Sequence, residues 1–321
     1  MTATLAGLID AALETSVAGS FSRTGIAARR RLFSWEPVTT DLTGRVILLT
    51  GASSGIGRAA ALQLAGLGAD LILVGRSAER LAAVSEACRA AGSPAVRTLR
   101  ADLTLLSEAQ RVVDDVLVGC DRLDVLVHNA GALVHDYRRT AEGFEETYAA
   151  QVLSQHVITC GLLPLLQATP GSRVIVVSSG GMYAERLAAD RVEFGPDDYD
   201  GVRAYARAKR AQVALNEQWA NRHPDGPPPT FHAMHPGWAD TPGVADSLPL
   251  FRRITGPFLR TPAEGADTVV WLAAADEPTT SGRFWLDRAE RATVKLPWAG
   301  QDHVEAAELW EVVCRQTGRR P

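Results

Sequence analysis

Val46-Ile47-Leu48-Leu49-Thr50-Gly51-Ala52-Ser53-Ser54-Gly55-Ile56-Gly57 decides the fold of this chain. Four consecutive apolar residues that end in a glycine turn read as a strand buried on both faces. Gly51 permits a tight turn, Gly55 lets the backbone approach a phosphate, and Gly57 lets the next helix pack closely on the strand. That helix, predicted from Gly57 to Leu67, presents free N–H groups to a pyrophosphate, with Ser53, Ser54 and Ile56 completing the cradle. The spacing differs from the GxGxxG fingerprint, and a lone glycine motif is often only a turn. Its place between strand and helix is what gives it meaning.

Outward from this loop, strand and helix patterns alternate. Strands are predicted at 71–74, 96–99, 125–127, 174–177, 231–234 and 282–286. Helices are predicted from Ser77 (as N-cap) through Ala90, and over 105–118, 142–166 and 202–219. The proline cluster Gly226-Pro227-Pro228-Pro229 reads as a loop into the sixth strand. This alternation predicts a single Rossmann-like, doubly wound α/β domain. Its sheet is mainly parallel and seven-stranded, with helices on both faces. Residues 1–41 read as an N-terminal extension, an amphipathic helix plus linker, and residues 42–321 as the domain. Ligands of such sheets bind at the carboxyl ends of the strands.

Those ends carry chemistry. After the second strand comes Arg76, where a carboxylate would hold ribose hydroxyls and repel a 2′-phosphate. A guanidinium there favours NADP over NAD. Asp102, followed by Leu103, can accept from an adenine amino group. The small residues of Asn129-Ala130-Gly131 leave room for the adenosine ribose. The fifth strand delivers Ser178-Ser179. On the next long helix Tyr205 and Lys209 lie at i and i+4, on one face. A free phenol titrates near 10, and an adjacent ammonium favours its ionised form. Lys209 can also bond the nicotinamide ribose. A tyrosine and a lysine at this spacing are also common on plain amphipathic helices. Tyr183 and Tyr199 are rival phenols, but neither has a lysine four residues on. Pro236-Gly237 enforces a turn after the sixth strand, and Thr241 can bond the nicotinamide carboxamide. The apolar stretch at about 238–262 reads as a loop-like lid over the substrate.

Composition narrows the classes. A net charge of -4 gives no reason to expect nucleic acid. The four cysteines and seven histidines form no metal-ligand spacing, and the thiols read as reduced, so a cytoplasmic protein is expected. No apolar run is long enough to cross a bilayer. Leu5, Leu8, Ile9, Ala12 and Leu13 recur at helical spacing. Because Asp10 and Glu14 make that helix acidic, docking on the domain or on a second subunit is favoured over a membrane surface.

Together these residues resemble the short-chain dehydrogenase/reductase family, over about Leu42 to Asp287. The run SSGGM, the wide serine-to-tyrosine gap and HPGWADTPGV are most similar to the subgroup called dehydrogenase/reductase family member 12. The resemblance implies that Ser179, the second of its pair, is catalytic with Tyr205 and Lys209. It also implies a small-molecule substrate and a homo-oligomer. Two positions depart from the family pattern: NNAG is HNAG here, and Gln151 stands where an asparagine usually helps hold a relay water near the lysine. The expected function is NADP(H)-dependent hydride transfer to or from an apolar carbonyl/alcohol pair. The alternative is an NADP-binding sensor or scaffold with little turnover, in which Gln151 marks a weakened relay.

Overall fold

The structure, a computed structural model, describes residues 5–223, 229–275, 280–295, 298–299 and 302–321. The strands are β1 Val46–Thr50, β2 Asp70–Gly75, β3 Val96–Arg100, β4 Val125–His128, β5 Arg173–Val177, β6 Thr230–Met234, β7 Arg283–Leu286 and β8 Ala289–Glu290. They form one sheet in the order β3-β2-β1-β4-β5-β6-β7-β8. Every pairing is parallel except β7 with β8. The strand order reverses between β1 and β4, and that is where the crevice opens.

Three helices precede the sheet: α1 Leu5–Thr15, α2 Val17–Phe21 and α3 Arg23–Leu32. Then come α4 Gly55–Gly66, α5 Ala78–Ala91, α6 Leu106–Gly119, α7 Glu146–Tyr148, α8 Ser154–Ala168 and α9 Gly201–Arg222. The last are α10 Pro242–Ser247, α11 Pro249–Thr255, α12 Pro262–Ala274 and α13 His303–Thr317. Alternation along each strand splits the apolar residues into two cores. Ile47, Leu49, Leu71 and Leu73 pack with α4, α5 and α12, whereas Leu48, Ile72 and Leu126 pack with α6, α8, α9 and α13.

The sheet has eight strands where seven were expected. The eighth is two residues long and follows a turn at Asp287 and Arg288, both at positive φ (55° and 56°). A two-residue strand has no periodicity, and Asp-Arg is not a common hairpin turn pair. Helices α12 and α13 were also not anticipated, although Thr261 and Glu264 form a capping box at the start of α12. The expected apolar loop at 238–262 is largely helical: Pro242 and Pro249 open α10 and α11, and a 3₁₀ turn spans Gly256–Phe258. The turn at Gly226–Pro228 lies outside the described residues.

Glu146–Ala168 runs as one helix, with a π-helical turn over Ala149–Leu153. It is long and apolar enough to cross a membrane by length and composition, where the sequence suggested no such segment. Here it is mostly buried against the sheet and α9. In the extension, the acidic side of α1 sets its orientation. Asp10 and Glu14 turn inward: Asp10 accepts from Arg29 at 2.6 Å and Arg291 at 2.7 Å, and Glu14 accepts from Arg29 at 2.8 Å and also pairs with Lys295. Leu5, Leu8 and Ile9 face solvent. Helix α1 therefore docks through its charges rather than through its apolar stripe.

Candidate active site

The glycine loop and the Asn129 turn are built as one piece. Thr50 Oγ1 accepts from the backbone N–H groups of Asn129 and Ala130, both at 3.0 Å. Asn129 Nδ2 donates to Thr50 O at 3.0 Å and Gly51 O at 3.2 Å. Side chains are excluded at this junction. Gly51 has φ +68°, and a Cβ there would lie 2.8 Å from Ala130 Cα. A Cβ on Gly57 would lie 2.3 Å from Gly51 O. Ser54, the N-cap of α4, makes no side-chain cap, and the first turn of α4 has no acidic residue. Its leading N–H groups therefore remain available to an anion. These features fit a dinucleotide pyrophosphate.

Directly after β2, Arg76 is exposed and forms no ion pair among the described residues. Its carbonyl accepts from Arg100 Nε at 3.4 Å. Asp102 Oδ1 accepts from Thr104 N at 3.1 Å, and Leu103 O accepts from Ser154 Oγ at 2.6 Å. Both residues thus shape the turn into α6. His128, the departure in HNAG, is buried with Nε2 bonded to Thr159 Oγ1 at 2.8 Å, and burial pushes its pKa down to about 3. It is a neutral core residue behind the site.

Ser179, Tyr205 and Lys209 come together at the ends of β5 and on α9. The Ser179 hydroxyl faces the Tyr205 phenol, and its Oγ accepts from Gly181 N at 3.2 Å. Lys209 Nζ lies 5.3 Å from the Tyr205 ring centroid and donates to Val177 O at 3.0 Å. Ser178 instead donates to Lys209 O at 2.9 Å, on the helix backbone. Burial pushes the Lys209 ammonium down to about 7. Burial also raises the Tyr205 phenol, while the neighbouring Ser179 hydroxyl opposes that rise. Both groups are thus biased toward their neutral forms, and a positive charge arriving nearby would favour the phenolate.

Gln151 sits in the π-helical turn, a feature frequent at functional sites. Its Nε2 donates to Ala132 O at 2.8 Å, and its buried Oε1 has no partner. Gln151 Oε1 and Lys209 Nζ flank Gly131, 2.8 and 3.2 Å from where a Cβ on that residue would sit. The longer side chain therefore reaches the lysine's neighbourhood. The rival phenols are committed elsewhere: Tyr183 donates to Ala292 O and Tyr199 to Val134 O.

On the other side of the crevice Gly237 has φ +71°, and its N–H donates to His235 Nδ1 at 3.2 Å. Thr241 caps α10 by accepting from Val244 N at 3.3 Å, and its methyl lies 3.2 Å from a Cβ position on Gly55. Pro236 O accepts from Arg260 at 3.2 Å. Arg260, Asp287 and Phe21 were not singled out from the sequence. Arg260 is buried, donates to both oxygens of Asp287 (2.6 and 2.9 Å), and binds the carbonyls of Ser20 and Ser22. No local pattern marks an arginine as buried, so only the pairing reveals it.

A glycine cradle at the switch point, with Ser179 after β5 and Tyr205 and Lys209 on α9, defines a dinucleotide-dependent oxidoreductase. Residues 45–248 match the short chain dehydrogenase family model, and the chain belongs to that family. It is 37% identical over 299 residues to dehydrogenase/reductase SDR family member 12 of Homo sapiens, covering 91% of this chain and 92% of that one. It is 36% identical over 280 residues to a proposed daunorubicin C-13 ketoreductase of Streptomyces sp. (strain C5), covering 86% and 94%. A short chain dehydrogenase structure from Escherichia coli CFT073, complexed with NADPH, superposes with a TM-score of 0.62 at 26% identity, covering 79% of this chain and 100% of that one. The protein is an oxidoreductase acting on a CH–OH or carbonyl group of a small molecule with a nicotinamide cofactor.

Proposed function

We propose that this protein transfers hydride between NADP(H) and an apolar carbonyl/alcohol pair, with Tyr205 as acid–base. The observation that carries this reading is the convergence of Ser179, at the end of β5, with Tyr205 on α9 beside the buried Lys209. Bound in the cradle, the cofactor supplies the hydride. Tyr205 donates its proton to the carbonyl oxygen in reduction and takes it back in oxidation. Ser179 holds the substrate oxygen against the phenol. Lys209 in its protonated form lowers the cost of the phenolate and bonds the ribose. Gln151 Oε1 offers an acceptor near Lys209, which supports a working relay over a silent binding protein. Exposed Arg76 supports NADP, and the NADPH-bound structural relative is consistent with it. The ketoreductase relative and the apolar side chains of α11 support a bulky apolar substrate.

NADPH oxidation across a panel of apolar aldehydes and ketones tests this, with wild type beside Tyr205→Phe. The expected result is turnover that falls by about a hundredfold or more in the variant while NADPH affinity holds. Turnover retained by Tyr205→Phe sinks the assignment.

A further inference from the structure

The N-terminal segment reaches the active centre. Phe21, at the end of α2, is buried with its ring against Gly180, the residue after Ser179. A Cβ on Gly180 would lie 2.5 Å from Phe21 Cε2. Gly180 does not have a positive φ, so its backbone would accept alanine; the ring is what forbids it. The backbone of Phe21 touches the opposite wall: its carbonyl accepts from Trp238 N at 2.8 Å, next to Pro236-Gly237. Its ring also meets His235 edge-on, with centroids 4.4 Å apart. One residue of the extension therefore spans the serine turn and the Pro-Gly turn. Its neighbours Ser20 and Ser22 are pinned by Arg260.

We propose that Phe21 is a positioning residue of the active centre, setting the turn that follows Ser179 and so the Ser179 hydroxyl on Tyr205. The extension is then part of the site and not an appendage. This rests on the acid–base reading of Tyr205. Phe21 touches neither substrate nor cofactor in this role; it acts through Gly180. A ring in contact with a turn of small residues leaves that turn one arrangement, and a methyl on Gly180 or a void at Phe21 removes it.

The test is a titration of the Tyr205 phenolate absorbance in the full-length NADP⁺ complex. Each variant is measured as the difference from the same variant carrying Tyr205→Phe. Gly180→Ala is expected to move the midpoint upward, because the Ser179 hydroxyl that favours the phenolate is displaced. Gly180→Ala combined with Phe21→Leu is expected to bring it back toward wild type, since leucine frees the space the methyl needs. Phe21→Ala, which opens a void instead of a clash, is also expected to raise the midpoint. An unchanged midpoint in Gly180→Ala and Phe21→Ala overturns the proposal, as does a shift that the double variant does not reverse. The titration uses no turnover. A Tyr205→Phe protein that still reduces carbonyls therefore removes the acid–base reading by a separate measurement.

Discussion

Arg29 and Asp287 are separated by 258 positions in the chain, and the Arg29 guanidinium donates to Asp287 Oδ2 at 2.7 Å with both side chains fully buried. Arg260 binds the same carboxylate from the other side. Asp287 thus joins the N-terminal extension, the turn before α12 and the β7–β8 hairpin. Burying three charges costs desolvation energy, which only close and complete pairing offsets.

Asp287→Ala leaves two buried guanidinium groups without their shared partner. The expected loss is about 3–5 kcal/mol of unfolding free energy, read from urea denaturation. Arg29→Met should cost less, because Asp287 keeps Arg260. Asp287→Ala within 1 kcal/mol of wild type, on the order of a surface pair, would contradict this ranking.

Gly57→Ala drives a methyl into Gly51 O and Asn129 Nδ2, with ideal contacts of 2.3 and 2.5 Å. The cradle has to open. NADPH affinity should fall by about tenfold or more, with a stability loss of about 1–3 kcal/mol. Calorimetric titration beside thermal unfolding separates the two effects. Unchanged affinity would mean that the loop adapts and is not the phosphate cradle.

Arg76→Glu tests cofactor choice. Arg76 has no ion pair among the described residues, so its loss should leave stability nearly unchanged. The dissociation constant of NADPH should rise about tenfold or more, while that of NADH holds or improves. Equal weakening of both nucleotides would move the 2′-phosphate contact elsewhere.

Lys209 makes stability depend on pH, and the sign follows from its lowered value of about 7 against an ordinary 10.5. Below about pH 7 the lysine is charged whether folded or unfolded, and the full burial penalty is present. As pH rises from there toward 10.5, the folded protein sheds the proton first and the penalty is relieved. Lys209→Met should therefore be more stable than wild type at neutral pH. Its advantage should shrink as pH rises toward 9, on the order of the midpoint of that window. Parallel unfolding curves across that range would show that Lys209 is not desolvated.

The strand–glycine–helix pattern at 46–57 determined a doubly wound α/β fold from sequence alone, because buried parallel strands and phosphate turns leave local signatures. Tyr205 and Lys209 were visible for the same reason: i and i+4 on one helix share a face. The small β8 and the helices α10 and α11 were not legible, since two residues carry no period and an apolar stretch fits either a helix or a loop. The choice between Ser178 and Ser179 came from family likeness, and the structure shows the two hydroxyls facing different partners. Tertiary structure alone decided the role of residues 5–32. The sequence reports that α1 has an apolar and an acidic side, but not which side finds partners. Arg29, Arg291 and Lys295 supply that answer from α3 and from the far end of the sheet, turning the acidic side inward. Contacts such as Phe21 on Gly180 or Arg29 on Asp287 join positions too distant for any local pattern to encode. They exist only once the sheet has brought its strand ends together.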